Sequence, residues 1–188
     1  VTTVDLIVSA LTAPSTGAEG QTISVTDTTK NNGPGTAPAS NTALYWSTNS
    51  TYDAGDTYLG SRSVPSLAAG ASNSGSASVT IPSGTCTGTF YIIAVADGDK
   101  VVLESNENNN TRSKSIKIWV DLTISAVTAP ATSGAGKTIS VTDTTKNSGG
   151  CPAAATTTKL YFSSNSTWDT GDAYLGERAV PALTAGAT

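Results

Sequence analysis

The sequence predicts an all-β chain of tandem antiparallel β-sandwiches, the second of them incomplete. Three observations predict it. Every strong apolar periodicity has a period of two, and no stretch shows the i, i+3, i+4, i+7 spacing of a helix. The alternating runs are short and bounded by Gly, Pro and Asn. The chain is also written nearly twice: residues 1–72 align without a gap with 117–188 and match at about three positions in five. "NSTYDAGDTYLG" (Asn49–Gly60) returns as "NSTWDTGDAYLG" (Asn165–Gly176). At the same offset of 116, Asp5, Asp27, Tyr45 and Pro65 return as Asp121, Asp143, Tyr161 and Pro181.

The strands follow in order. "DLIVSAL" (Asp5–Leu11), "QTISVTDTTK" (Gln21–Lys30) and "TALYWST" (Thr42–Thr48) carry β-branched or aromatic residues between turn residues. In the second of these, Ile23 and Val25 alternate with Thr22, Ser24 and Thr26, which turns one face to a core and the other to water. "TYLGSRSV" (Thr57–Val64), "SASVTI" (Ser76–Ile81), "TFYIIAVA" (Thr89–Ala96) and "RSKSIKI" (Arg112–Ile118) complete the set. "FYIIAV" is apolar on both faces, as a central strand requires; Ile116 and Ile118 point away from Lys117. Seven short strands in one such unit predict an immunoglobulin-like antiparallel β-sandwich.

The repeat sets the domain boundaries: 1–118, and 119–188 supplying the first four strands again. Residues 72–118 have no counterpart in the second unit. Two accounts stand side by side, a window from a longer repeat protein and a subunit completed by a neighbouring chain's strand. Between the units, "IKIWVDL" (Ile116–Leu122) contains no Gly, Pro or Ser. Such a junction is short and stiff rather than a swivel, and predicts a rod of domains joined end to end with other copies of itself as partners.

Composition excludes several functions. Charged residues are 13% of the chain and the net charge is −4, against a usual charged share of roughly 25%. This argues against a nucleic-acid partner, since phosphate would be repelled. No apolar run approaches the ~20 residues that span a bilayer, so no membrane span is expected in this segment. There is no His, which removes Ser–His–Asp and Cys–His catalysis and the usual zinc sites together. An enzyme is not expected, and no catalytic residue is nominated. Ser/Thr-rich faces, the lack of His and Met, and Asn-x-Ser/Thr triplets point to an extracellular or bacterial cell-surface location.

Two acidic loops are candidate Ca²⁺ sites. Asp53 and Asp56, repeated as Asp169 and Asp172, sit in the loop written twice. The competing account is a turn in which Asp side chains cap backbone N–H groups and Gly55 takes a positive φ. "DGDKVVLESNENNN" (Asp97–Asn110) offers Asp97, Asp99 and Glu104, without the EF-hand spacing. There the competing account is a hairpin whose side chains bond to backbone. Asn49, Asn109 and Asn165 head glycosylation triplets in expected exposed loops. Tyr45, Trp46, Tyr52, Tyr58 and Trp168 are candidates for a sugar-stacking face for surface glycans, or for division between core and surface.

Cys86 precedes the sixth strand, and Cys151 follows the second strand of the second unit. Within one sandwich those loops lie at opposite poles, beyond the ~7 Å Cα limit of a disulfide. Between stacked units the two poles meet, so a Cys86–Cys151 bond is expected across the junction, closing a 65-residue loop worth on the order of 4 kcal/mol of chain entropy. Free or chain-linking thiols are the alternative.

"VDLIVSALTAP", "TDTTKNNGPGTAPAS", "YWSTNSTYDAGDTYLGS" and "VADGDKVVLESNENNN" together resemble the bacterial CARDB family, cell-adhesion-related immunoglobulin-like domains. Val101–Asn110, the "N-x-G" at Asn31–Gly33 and Asn147–Gly149, and "D-x-G-D-x-x-L-G" carry the resemblance. It covers all of the first unit and the second as far as it runs. It implies tandem extracellular sandwiches without catalytic residues. The expected function is an extracellular structural or adhesive repeat protein forming a rod, stalk or filament. The alternative is a carbohydrate- or calcium-binding accessory module of a secreted adhesin or hydrolase.

Overall fold

A computed structural model describes residues 3–188. The chain divides into two compact units, Val1–Ile118 and Trp119–Thr188, and every regular element among the described residues is a strand. The first unit contains β1 (Leu6–Thr12), β2 (Thr22–Asn31), β3 (Ser40–Ser47), β4 (Thr57–Val64), β5 (Ser72–Thr80), β6 (Gly88–Ala96) and β7 (Thr111–Ile118). They form two antiparallel sheets, ordered β1-β2-β5 and β4-β3-β6-β7. This is an immunoglobulin-like sandwich.

The alternation in sequence becomes the core. Ile23 and Val25 of β2 are buried while Thr22 and Ser24 face water. Leu6, Val25, Leu44, Ile81, Ile92, Ile116 and Ile118 are fully buried, each worth about 1.5–3 kcal/mol relative to exposure. Trp46 joins them, its ring stacked on Phe90 at 5.2 Å; the adjacent Tyr45 faces the other way, as strand geometry requires. β6 lies between β3 and β7, and its consecutive residues Ile92–Ala96 are all buried, so both faces of that stretch are apolar. Leu44 pairs with Gly60 but Tyr45 pairs with Tyr58, so Leu59 bulges. Gly60 sits at the bulge with φ +147°, a value closed to other residues.

β3 runs against β6, with Thr42 opposite Ala96 and Ser47 opposite Tyr91. The loop 48–56 and the loop containing Cys86 therefore lie at one end of this sheet. The loops 32–39 and 97–110 lie at the other. One boundary of the first unit differs from the sequence expectation by more than two residues: β5 begins at Ser72, not Ser76. Its first inward positions are Asn73 and Gly75, which pack on Arg62 rather than on aliphatic side chains, so no apolar alternation marks them.

The second unit contains β8 (Leu122–Thr128), β9 (Thr142–Asn147), β10 (Thr156–Phe162) and β11 (Ala173–Val180), paired β8-β9 and β10-β11. "KTISVTDTTK" differs from "QTISVTDTTK" at one residue, yet β9 is four residues shorter than β2. In the first unit Thr22–Val25 pair only with β5, because β1 reaches no further than Thr26. Among the described residues β9 has no strand on that side, so nothing holds 138–141 extended. A small core of Ala153, Val180 and Leu183 closes one end. Phe162 is 68% exposed where its counterpart Trp46 is 5% exposed.

Candidate functional site

Beyond Val25 the inward positions of β2 turn polar: Asp27, Thr29 and Asn31, all fully buried. Asn31 is a hub. Its Nδ2 donates to the Gly35 carbonyl at 2.6 Å and the Leu67 carbonyl at 3.0 Å, while its Oδ1 accepts from Gly33 N–H at 3.1 Å and Asp5 N–H at 3.4 Å. It ties together the lead into β1, the loop after β2 and the loop after β4. The repeat reproduces the set: Asn147 Nδ2 donates to Cys151 O and Leu183 O, and its Oδ1 accepts from Gly149 N and Asp121 N. Gly33 is required by close approach, since a Cβ there would lie 2.6 Å from the Thr3 carbonyl oxygen. The "N-x-G" motif is this joint.

Arg62 of β4 reaches across to Asp27, Nε to Oδ2 at 2.9 Å and Nη2 to Oδ1 at 2.6 Å, and donates to Asn73 Oδ1 at 2.6 Å. Arg178 and Asp143 repeat the fork at 2.8 and 2.6 Å. The Arg62 side chain is 10% exposed and that of Arg178 41%, because β5 covers the first. The hydrogen bonds and charge of Arg178 hold the Asp143 carboxyl below its ordinary pKa, and Asp143 raises that of Arg178. Sequence reasoning missed both arginines and the role of the asparagines. The available signal was a polar residue at an inward position, repeated at offset 116.

In the loop 97–110, Asp97 is buried at φ +49°, and its carboxylate accepts from Val102 N–H at 2.9 Å and Val101 N–H at 3.3 Å. Asp99 accepts from Asn41 Nδ2 at 2.7 Å. Glu104 accepts from the Leu6 backbone N–H and, at 2.7 Å, from Asn110 Nδ2. Burial pushes the Glu104 carboxyl up in pKa against those two bonds, with Glu107 and Asp97 adding to the rise. These carboxylates fasten the loop to β1 and β3.

At the opposite end of the sheet, Asp53 Oδ1 accepts from Gly55 N–H at 2.7 Å and Asp56 Oδ2 from Asp53 N–H at 3.0 Å. Asp169 and Asp172 repeat this at 2.8 and 3.0 Å. Gly55 does not take the positive φ expected from sequence. Its role is to bring its N–H onto Asp53 without a Cβ, which would stand 3.0 Å from the accepting oxygen. The two acidic loops are thus at opposite ends of the first unit and are not brought together. Among the described residues no three His, Cys, Asp or Glu side chains gather as a metal site.

Asn49 and Asn165 are exposed, each bonding through Oδ1 to the N–H two residues on, at 2.7 Å. Asn109, expected in the open, is half-buried with Nδ2 donating to Asp5 Oδ1 at 2.9 Å. Tyr45 contacts Tyr52 at 4.7 Å and Tyr58 at 5.6 Å; burial, with the neighbouring Tyr52, pushes its hydroxyl up to about 12. Tyr161, Trp168 and Tyr174 form the matching trio. Cys86 is half-buried at the end of the first unit where β7 leaves, since Gly88 pairs with Ile118. Cys151 is buried in the second unit, its N–H donating to Trp119 O at 3.2 Å.

No helix among the described residues is long and apolar enough to cross a membrane. No curated protein matches the chain. Among solved structures, a CARDB domain from Pyrococcus furiosus in complex with di-metal ions is 21% identical, covering 63% of this chain and 96% of that one at a TM-score of 0.49. A domain from Methanosarcina acetivorans, described as part of a cell-surface protein, is 23% identical over 61% of this chain and 91% of its own, at 0.46. A β-glucosidase from Listeria innocua is 13% identical, with 62% of this chain covering 16% of that one at 0.40. The CARDB family model matches residues 3–114, more than half of the chain. The chain belongs to the CARDB family of cell-surface, adhesion-related, non-catalytic domains.

Proposed function

We propose that this chain is a load-bearing extracellular segment, in which immunoglobulin-like domains follow end to end as a rod, stalk or filament. The observation that carries it is the bonding of the junction. β7 is hydrogen-bonded to its last residue, Ile118, opposite Gly88, and Lys117 N–H donates to Ser15 O at 2.9 Å. Trp119 O then accepts from Gly150 N–H at 2.8 Å, and Asp121 O from Ser148 N–H at 2.6 Å. Bonded backbone thus resumes at the next residue, and the stretch contains no Gly, Pro or Ser. A flexible linker needs several unbonded residues. A Cys86–Cys151 disulfide belongs to the same proposal. Its support is that Cys86 lies at the exit end of one unit and Cys151 beside the entry strand of the next.

Residual dipolar couplings measured on the whole chain test the rod. One alignment tensor should describe both units; two different tensors would show a swivel and overturn it. For the disulfide, a non-reducing peptide map of oxidised protein should contain a Cys86–Cys151 cross-linked peptide, and its absence would remove that part alone.

A further inference from the structure

The segment that enters the first unit is tied to the segment that leaves it along the length of the sandwich. The chain enters at the end holding loops 32–39 and 97–110, where Val4 O accepts from Ser105 N–H at 2.8 Å. It leaves at the opposite end, where Ile118 pairs with Gly88. Between these points the two segments are joined repeatedly. Asp5 Oδ1 accepts from Asn109 Nδ2 at 2.9 Å, Leu6 N–H donates to the Glu104 carboxylate, and Ser9 O accepts from Arg112 Nη1 at 3.0 Å. Ser15 O then accepts from Lys117 N–H at 2.9 Å, and Gly17 N–H donates to Lys117 O at 3.2 Å. The bridges that set the direction, Val4 with Glu104 and Thr16 with Lys117, are both parallel.

This geometry decides how the unit meets tension. Pulling its ends apart drags the entering segment one way and β7 the other, each along its own axis. Bonds between segments that slide past each other share the load and must fail together, whereas bonds at a peeling end fail one at a time. Forced unfolding follows the barrier to that failure rather than equilibrium stability. Force that leaves β1 through β2 has to cross between the sheets, while these bonds pass it to β7 directly. We propose that the bonds from residues 4–17 to residues 104–117 form a shear clamp that sets the first unit's resistance to end-to-end force. The loop 97–110 thereby gains a mechanical use, because Glu104, Ser105 and Asn109 attach it to the entering segment. At the far end Lys117 turns both of its backbone groups to residues 15 and 17. The clamp deepens the load-carrying reading and takes its purpose from it, but it lies within one unit and does not depend on how the junction behaves.

The test pulls single molecules of the 188-residue chain by its two ends under reducing conditions. Full extension of Val1–Ile118 releases up to about 400 Å and that of Trp119–Thr188 up to about 240 Å, so the long steps report the first unit. Lys117→Pro removes the donor to Ser15 and leaves the β6 ladder, a change that an edge strand accommodates. At a given force it should unfold about five-fold or more faster than Lys117→Ala, the effect of one bond lost from the barrier. Arg112→Ala, at an exposed residue, should act in the same direction by about two- to ten-fold, and it carries the test should the proline variant not fold. Ile92→Val, in the core and off the clamp, should lower the urea midpoint at least as much as Arg112→Ala yet change the rate under load less. Equal rates for Lys117→Pro and Lys117→Ala, or an Ile92→Val effect under load that matches that of Arg112→Ala, would overturn the clamp. Two alignment tensors beside a sensitive clamp would overturn the rod alone; one shared tensor beside an insensitive clamp would do the reverse.

Discussion

Replacing Asn31 with Ala tests whether buried amide joints hold these sandwiches together. The substitution removes five hydrogen bonds at once, one of them from Nδ2 to the Ala68 carbonyl at 3.3 Å, but its cost lies in what is stranded. The Gly35 carbonyl, at 2.6 Å from Nδ2, and the Gly33 N–H, at 3.1 Å from Oδ1, lose their partner inside the protein. Leu67 O is better placed, because it also accepts from Ala37 N–H at 2.8 Å. Two stranded groups at about 1–3 kcal/mol each give a loss of about 2–6 kcal/mol, a large share of the 5–15 kcal/mol typical of a domain. Because the chain has two units, a global probe mixes their transitions. Trp46, buried against Phe90, reports on the first unit in a Trp119→Phe, Trp168→Tyr background. Its urea transition should move to a lower midpoint. Asn31→Asp keeps an acceptor for Gly33 but turns an oxygen toward the Gly35 and Leu67 carbonyls, so it should be at least as damaging. A change below about 1 kcal/mol in Asn31→Ala, or a tolerated Asp, would show that the joint is not what fixes the loops.

The other predictions rest on single contacts. Gly33→Ala should destabilise the first unit by about 1–3 kcal/mol, as overpacking does, because its Cβ meets the backbone of Thr3–Asp5; the same urea assay reads it. Asp143 has a lowered pKa from its Arg178 partner, so its contribution is present above the unfolded carboxyl value of about 3.9 and is lost as pH falls through the folded one. The second unit's urea midpoint, followed by Trp168 fluorescence, should therefore fall below about pH 4, and Arg178→Gln should flatten that fall. Calcium at the Asp97 loop would have to displace the Val101 and Val102 N–H groups from Asp97 and the Asn110 amide from Glu104. Melting curves in excess CaCl₂ and in EDTA should accordingly coincide, and a calcium-dependent rise of several degrees would show a cation taking those oxygens instead.

What the sequence disclosed follows from where side chains meet water. The period-two runs placed β2, β4, β6 and β7 to within a residue or two, because each alternates across a water boundary or, like β6, has none. β5 began early because Asn73 and Gly75 face Arg62, a partner 11 positions away from Asn73 in the chain and invisible to local pattern. β9 fell short for the opposite reason: identical residues extend as strand only where a β5 exists to pair with them. The acidic loops illustrate a third limit. Sequence supplied the carboxylates but not their donors, which are backbone N–H groups whose direction is set by the folded loop. The arginine forks needed both pieces of information, the inward phase of Asp27 and the crossing of β4 over it.

The duplication separates structural need from what is free to vary. Positions that both copies share include the joint at Asn31 and Asn147, the forks at Asp27–Arg62 and Asp143–Arg178, and the Asp caps of the repeated loop. Each is explained by buried or loop-forming bonds, so their recurrence calls for no ligand. Where the copies diverge, at 43 and 159, and at 52 and 168, the fold tolerates both choices. Stability therefore does not dictate Lys159 or Trp168. A site for a partner is more reasonably sought at such positions than among the repeated carboxylates, which the fold already uses.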